Sequence, residues 1–327
     1  MPPDVGRPHR VLKPRTAAAT VLQPRQMRIL FITATRVGDA VLSTGLLDHL
    51  LRQYPDAHIT IACGPAAAGV FDRMPRRDRT LIMDKRRGDL HWLTLWRQVA
   101  GTVWDLVVDL RGSALSYLLL ARRRAILRGG RRPGHKLAHL ARALSLSPPP
   151  PPASWTAPED QARAATLLPP GPLIGLGPTA NWSGKAWPPD RFAALFQAVR
   201  DQALPGARPV VFAGPGPAEA AMAAPVLAAL PDAVDLTGQL TLPEASACLA
   251  RCALFIGNDS GLMHLAAATG APTLGLFGPT PASEYAPSGR RTAAVLAPGP
   301  AGAAPIAALP LEAAVAAALA LLDQPPP

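Results

Sequence analysis

Three short stretches of this 327-residue chain set polar side chains beside glycines, each after an apolar run and before a helical one. The first is Gly38-Asp39-Ala40-Val41-Leu42. A carboxylate there can take a proton from a bound hydroxyl, or its oxygen can cap the helix by accepting a backbone N–H. The segment alone leaves both readings open. The second is Gly257-Asn258-Asp259-Ser260-Gly261-Leu262-Met263-His264. Free N–H groups at a helix start, with the helix dipole behind them, form a cradle for a diphosphate, and the glycines let a phosphate approach the backbone. Within it Asp259 also reads as a cap, and His264 as a packed core histidine. The third, Gly177-Pro178-Thr179-Ala180-Asn181-Trp182-Ser183-Gly184-Lys185-Ala186-Trp187-Pro188, offers hydroxyls, an amide and one lysine. Lys185 can neutralise a leaving diphosphate or lie solvated in its loop.

Such groups act only if elements hold them. Residues 28–34 form an apolar run of strand length, and Leu42, Leu46, Leu47, Leu50 and Leu51 follow a helical period across 41–54. Further strands are expected at 59–63, 81–83 and 105–110, with a helix around 92–99. Five consecutive prolines, Pro148 to Pro152, resist helix and sheet and read as a stiff extended spacer. Beyond them the alternation restarts, with strands at 173–176, 209–213, 253–256 and 273–277. The matching helices fall at 190–199, 218–230, 243–250, 261–269 and 311–322. Strands alternating with helices imply parallel βαβ units, and ligands bind such sheets beyond the carboxyl ends of the strands. The expected fold is therefore α/β, two Rossmann-like domains whose parallel sheets face one another across a cleft. The expected division is a basic leader over 1–27, a domain over 28–147, a proline-rich linker over 148–155, and a second domain over 156–327 that ends in a helix.

Composition narrows the partners. A formal charge of +11 favours anionic ones: nucleotides, phosphorylated sugars, acidic lipid surfaces or nucleic acid. Arg122, Arg123, Arg124, Arg128, Arg131, Arg132 and Lys136 form a dense basic stretch that suits acidic sugars and phosphates, or is simply a solvated face. Aromatic residues are not interleaved with it, which disfavours nucleic acid. Cys63, Cys248 and Cys252 make no disulfide framework and no zinc set, so they read as buried thiols. No apolar run reaches the roughly 18 residues of a membrane span, so a cytoplasmic protein is expected. The leader's Arg7, Arg10, Lys13, Arg15 and Arg25 form a solvated tail or a peripheral tether to the inner face of the cytoplasmic membrane.

Taken in order, the motifs resemble those of the ADP-heptose:lipopolysaccharide heptosyltransferases, glycosyltransferase family nine. Residues 28–42 resemble that family's strand, Gly-Asp turn and helix. Asp105-Leu-Val-Val-Asp-Leu-Arg-Gly resembles its "YDxxIDLxG" segment, and Gly184-Lys185-Ala-Trp187-Pro188-Pro189-Asp190-Arg191-Phe192 its "KxWPxxxF" segment. Residues 257–268 with Phe277-Gly-Pro-Thr280 resemble "GNDSGPMHLAAA…LFGPT", the most specific match, and the likeness covers about 28–323.

The resemblance implies a GT-B fold and transfer of heptose from ADP-heptose, with inversion, to a lipopolysaccharide core acceptor of lipid A/Kdo type. It assigns Asp39 as general base and Lys185 to the diphosphate, with Thr179 and Ser183 as nearby hydroxyls. Ser260, Gly261 and Leu262 fall at the helix-start amides around the phosphates, Asp259 and His264 shape that turn, and Glu219 falls near the ribose. No cofactor is expected beyond the nucleotide-sugar donor. The chain has no Asp-x-Asp pair, so catalysis without a divalent metal is expected, the lysine and helix amides taking the metal's place. Leu262 stands where family members commonly carry proline, and the first domain looks compact, so acceptor identity is less constrained than reaction type. Two alternatives remain: the same fold using another nucleotide sugar for a surface glycan, or a non-catalytic nucleotide-sugar-binding protein, in which replacing Asp39 changes nothing.

Overall fold

A computed structural model of the chain describes residues 26–84, 89–130 and 133–325. The leader up to residue 25, with its five basic residues, lies outside the described residues, as do Arg131 and Arg132 of the basic stretch. The first half runs β1 (Arg28–Ile32), α1 (Val37–Gln53), β2 (His58–Cys63), β3 (Arg77–Ile82), α2 (Leu90–Val99), β4 (Trp104–Asp109), β5 (Ala121–Ile126) and α3 (Lys136–Ala141). The second runs α4 (Pro158–Leu167), β6 (Leu173–Gly177), α5 (Pro189–Gln202), β7 (Arg208–Val211), α6 (Pro217–Ala229), β8 (Val234–Asp235), α7 (Leu242–Leu249), β9 (Leu254–Asn258), α8 (Gly261–Thr269), β10 (Thr273–Phe277), α9 (Ala282–Tyr285), β11 (Thr292–Leu296) and α10 (Leu311–Leu322).

Both sheets are wholly parallel, ordered β3-β2-β1-β4-β5 and β11-β10-β9-β6-β7-β8. In each, the chain starts in the middle, fills one side, then jumps back across its own start. The order therefore reverses between β1 and β4 and between β6 and β9. At such switch points the loops after the two strands diverge and leave a crevice at the carboxyl edge.

Right-handed crossovers put α1 on one face of the first sheet and α2 on the other. The α1 face buries Ile29, Phe31, Ile61 and Val108 and is continuous with a layer of the second sheet holding Cys248, Phe255, Met263 and Leu265. The two sheets thus share one core, with α1 packed on α8 and α4 on α7. The opposite face of the second sheet packs under α5, α6 and α10. Cys63, Cys248 and Cys252 are all free and buried, and burial pushes their thiols up to about 12, 11 and 12 respectively.

The proline run does not hang free. A Cβ on Gly45, in the middle of α1, would lie 2.5 Å from the carbonyl oxygens of both Pro150 and Pro151. The Thr44 hydroxyl next to it accepts the Ala153 N–H at 2.9 Å. The prolines form a strap across α1. Farther along, buried Asp160 of α4 accepts from Arg73 Nε at 2.9 Å and Nη2 at 3.0 Å, which ties the start of the second half to the first.

Candidate active site

The strand β1 ends at Ile32, and α1 begins four residues past Thr33. Its N-cap is Arg36, with no side-chain cap bond, so Asp39 is not the cap: it sits in the first helical turn, half-buried. It lines a cavity of about 300 Å³ with Thr33, Arg36, Arg111 and Lys136. An adjoining cavity of about 310 Å³ shares Arg111 and Lys136 and reaches Glu284 and Tyr285 of the second half. Together they make a trough over the switch point between β1 and β4, lined by Arg36, Arg111 and Lys136 and by the carboxylates of Asp39 and Glu284.

Arg111 owes its place to Asp109, buried at the end of β4. Its carboxylate accepts from the Arg111 and Ser113 N–H groups at 2.8 Å and from the Ser113 and Ser116 hydroxyls at 2.6 Å. His135 stands at the start of α3, next to Lys136. Its Nδ1 accepts the Leu137 N–H and caps α3, so Nε2 carries the proton and donates to Ala286 O at 2.9 Å.

The second sheet offers its own crevice. Lys185, in a short 3-10 turn (Ser183–Lys185), reaches from the loop after β6 to the loop after β9 and pairs with Asp259 at 2.6 Å. Asn258, fully buried, staples the two loops: it donates to Pro178 O at 2.7 Å and accepts the Trp187 N–H at 3.1 Å. The Trp187 indole donates to Leu309 O from the other side. The lysine loop is thus held at both flanks of its tip.

Ser260, not Asp259, caps α8, its hydroxyl accepting the Met263 N–H at 3.4 Å. The amides of Gly261 and Leu262 are first-turn amides, which have no partner inside the helix. They and the dipole of α8 face the same crevice as Lys185.

The two crevices meet where α1 crosses α8. A Cβ on Gly261 would lie 2.9 Å from Val37 Cβ, and one on Gly38 2.9 Å from the His264 ring. Only glycine at these two positions allows so close an approach. It sets Asp39 near enough to influence His264, which also lies 3.9 Å from Asp259.

His264 is nearly fully buried and its Nδ1 has no partner. Burial pushes the imidazole down to about 4 against the opposing pull of Asp259 and Asp39, while His135 and Lys185 lower it further. The ring is therefore neutral at neutral pH. The ring packs against Gly38 where α1 crosses α8.

The structure brings together Asp39, Lys185, Asp259, Ser260, Gly261, Leu262 and His264. Thr179 is buried in the loop after β6 and Ser183 is exposed beside Lys185. Glu219 stands beyond the neighbouring strand β7, where its carboxylate accepts the Gly214 N–H at 3.1 Å. Sequence reasoning passed over Asn258 and Arg111 as site residues and offered Lys136 only as part of the basic stretch. Asn258 and Arg111 lay inside motifs already singled out, but only the fold shows what they hold or line.

The family model of Glycosyltransferase family 9 (heptosyltransferase) matches residues 132–304. The chain is 27% identical over 302 residues to lipooligosaccharide heptosyltransferase 2 of Haemophilus influenzae, covering 80% of this chain and 86% of that protein. Its fold matches the crystal structure of a family 9 glycosyltransferase from Veillonella parvula with a TM-score of 0.75 at 22% identity, covering 91% of this chain and 97% of that one. Escherichia coli ADP-heptose heptosyltransferase II follows with a TM-score of 0.72 at 22% identity, covering 90% and 98%. With two Rossmann-like sheets and a family match over more than half of its length, this chain belongs to glycosyltransferase family 9, the heptosyltransferases.

Proposed function

We propose that the protein transfers heptose from ADP-heptose to a lipopolysaccharide-core acceptor with inversion at the anomeric carbon. The observation that carries this reading is the junction of α1 and α8. It sets one carboxylate from the first crevice beside a lysine and a helix start from the second.

In the proposed step an acceptor hydroxyl lies in the trough within reach of Asp39. Its oxygen attacks the anomeric carbon as its proton passes to the Asp39 carboxylate. The bond from that carbon to the diphosphate oxygen breaks on the opposite side, and the pair of electrons leaves with ADP. Negative charge grows on the departing diphosphate, next to Lys185 and the Gly261 and Leu262 amides. Asp259 holds Lys185 in the absence of donor and yields it to the diphosphate. Thr179, Ser183 and Glu219 are proposed as further donor contacts along the same edge. The lysine and the amides do the work for which many sugar transferases use a divalent cation, so no metal is required.

The test is acceptor-dependent ADP release from ADP-heptose, with a heptose-deficient lipid A core as acceptor, in EDTA, with Asp39→Ala alongside. Release in EDTA that disappears in the variant supports the reading. Release that needs added metal, or that survives in Asp39→Ala, removes the metal or base assignment respectively. Failure of ADP-heptose to bind sinks the donor assignment.

A further inference from the structure

Among the described residues, eight of the ten exposed large hydrophobics lie in the first half, and six of these belong to α2 and to the segment between β4 and β5: Leu90, Leu93, Trp96, Tyr117, Leu118 and Leu120. Topology places them together. Both α2 and residues 114–120 return from the carboxyl edge of the first sheet to its amino edge by crossovers in the same direction, so they lie side by side on one face. Their inner side chains, Leu95, Val99, Leu115 and Leu119, share one buried layer. Among the described residues no element covers their outer side chains, and Leu118 is 71% exposed. A layer with one face packed and the other apolar in water marks a contact surface.

Charge identifies the occupant. Arg97 ends α2 at this surface. Register puts Arg122 and Arg124 on the same side of β5, and Arg124 donates to the carbonyls of Ser116 and Leu119, which fixes the 114–120 segment. Arg128 lies over the Tyr117 ring and Arg111 over Trp92, both at 5.7 Å. Of the nearby acids, Asp105 is bridged to Arg122, and Asp89 is the N-cap residue at the far end of α2, its carboxylate 3.9 Å from His91 Nδ1. Exposed leucines, one Trp and one Tyr ringed by arginines match the depth profile of an anionic bilayer, with apolar tips in the acyl boundary and guanidinium groups at the phosphates. A second copy of the chain would set this basic rim against itself.

We infer that the outer face of α2 and residues 114–120 docks the protein on an anionic phospholipid membrane. Arg111 joins this face to the trough at Asp39, so docking would set the trough's mouth at the bilayer surface. The purpose of docking rests on the reading that the acceptor is lipid-anchored, whereas the docking itself is measured without any acceptor.

The experiment is co-sedimentation of the full chain with vesicles of phosphatidylglycerol and phosphatidylethanolamine, and with phosphatidylcholine vesicles. Wild type is compared with a Leu93→Asp/Leu118→Asp double variant, whose replaced side chains are exposed. Wild type should bind the anionic vesicles, bind the neutral ones weakly, and lose binding as salt rises. The double variant should bind about tenfold or more weakly, with unchanged thermal unfolding and unchanged turnover of a water-soluble, deacylated acceptor. Equal binding by the double variant would overturn the proposal and move lipid contact elsewhere, the basic leader included. A wild-type dimer in sedimentation equilibrium that the double variant dissociates would overturn it in favour of a second copy.

Discussion

The proposed roles divide the chemistry between Asp39 and Lys185, and kinetics should divide with it. Asp39→Asn keeps the shape and removes the base, so kcat should fall about 10²–10⁴-fold with ADP affinity nearly unchanged. Lys185→Met removes the charge proposed to face the diphosphate, so ADP binding by calorimetry should weaken while kcat falls about 10²–10³-fold. Parallel loss of both quantities in Asp39→Asn would show that this carboxylate positions the donor instead.

His264 gives a second expectation at this scale. Its imidazole titrates near 4 in the fold, against about 6.5 in the unfolded chain. The unfolded state therefore binds the proton more readily, and stability is lost as pH falls from about 6.5 towards 4, by roughly 3 kcal/mol from this group. Urea titrations across that window should show the slope in wild type and lack this contribution in His264→Gln. A flat wild-type profile would mean that the ring finds a partner for its charged form.

Between elements, close approach matters more than propensity. The strap of prolines touches α1 where Gly45 leaves room, and Gly45→Ala would push a methyl group into two backbone carbonyls that have no rotamer to escape by. Overpacking of this kind costs about 1–3 kcal/mol, even though alanine is the better helix former. A lower urea midpoint for Gly45→Ala is expected, and an unchanged one would mean that the strap shifts freely. Gly38 and Gly261 play the same part where α1 crosses α8, with a further consequence: a side chain there would separate Asp39 from Lys185 before it unfolded anything.

Across the whole molecule the two halves are joined by a shared core and by the Arg73–Asp160 pair. Burial raises the Asp160 carboxyl, but its bonds from Arg73 and from the Ala157 N–H outweigh that, and the net shift is downward. Such a carboxylate contributes stability above its unfolded value near 3.9 and loses it as pH falls through the lower folded value. Arg73→Ala leaves the carboxylate buried without its cation. The variant should start acid unfolding at a higher pH, an effect tempered by solvent screening because the arginine is itself a third exposed. Circular dichroism followed against pH for both proteins checks this. Coincident curves would mean that the halves are held by the apolar core alone.

By itself the sequence determined the alternation of strand and helix, the restart after the prolines and the three turns that carry chemistry, because these are local patterns. Apolar runs such as those at β1 and β9 form strands wherever they are placed, and α10 reads from its own alanine and leucine repeat. It could not show β5, since Ala121–Ile126 carries three arginines and becomes a strand only by pairing with β4. Nor could it show that the proline run lies against α1, because the evidence for that is Gly45, a hundred residues earlier. The cap assignments went to Arg36 and Ser260 instead of Asp39 and Asp259, since where a helix begins within a polar turn depends on what each carboxylate meets. Asp259 meets Lys185, and that lysine comes from a different loop. Which residues share a crevice was decided only by the strand order and by two glycines in contact across the domains. That contact puts a carboxylate from one sheet beside a cation from the other.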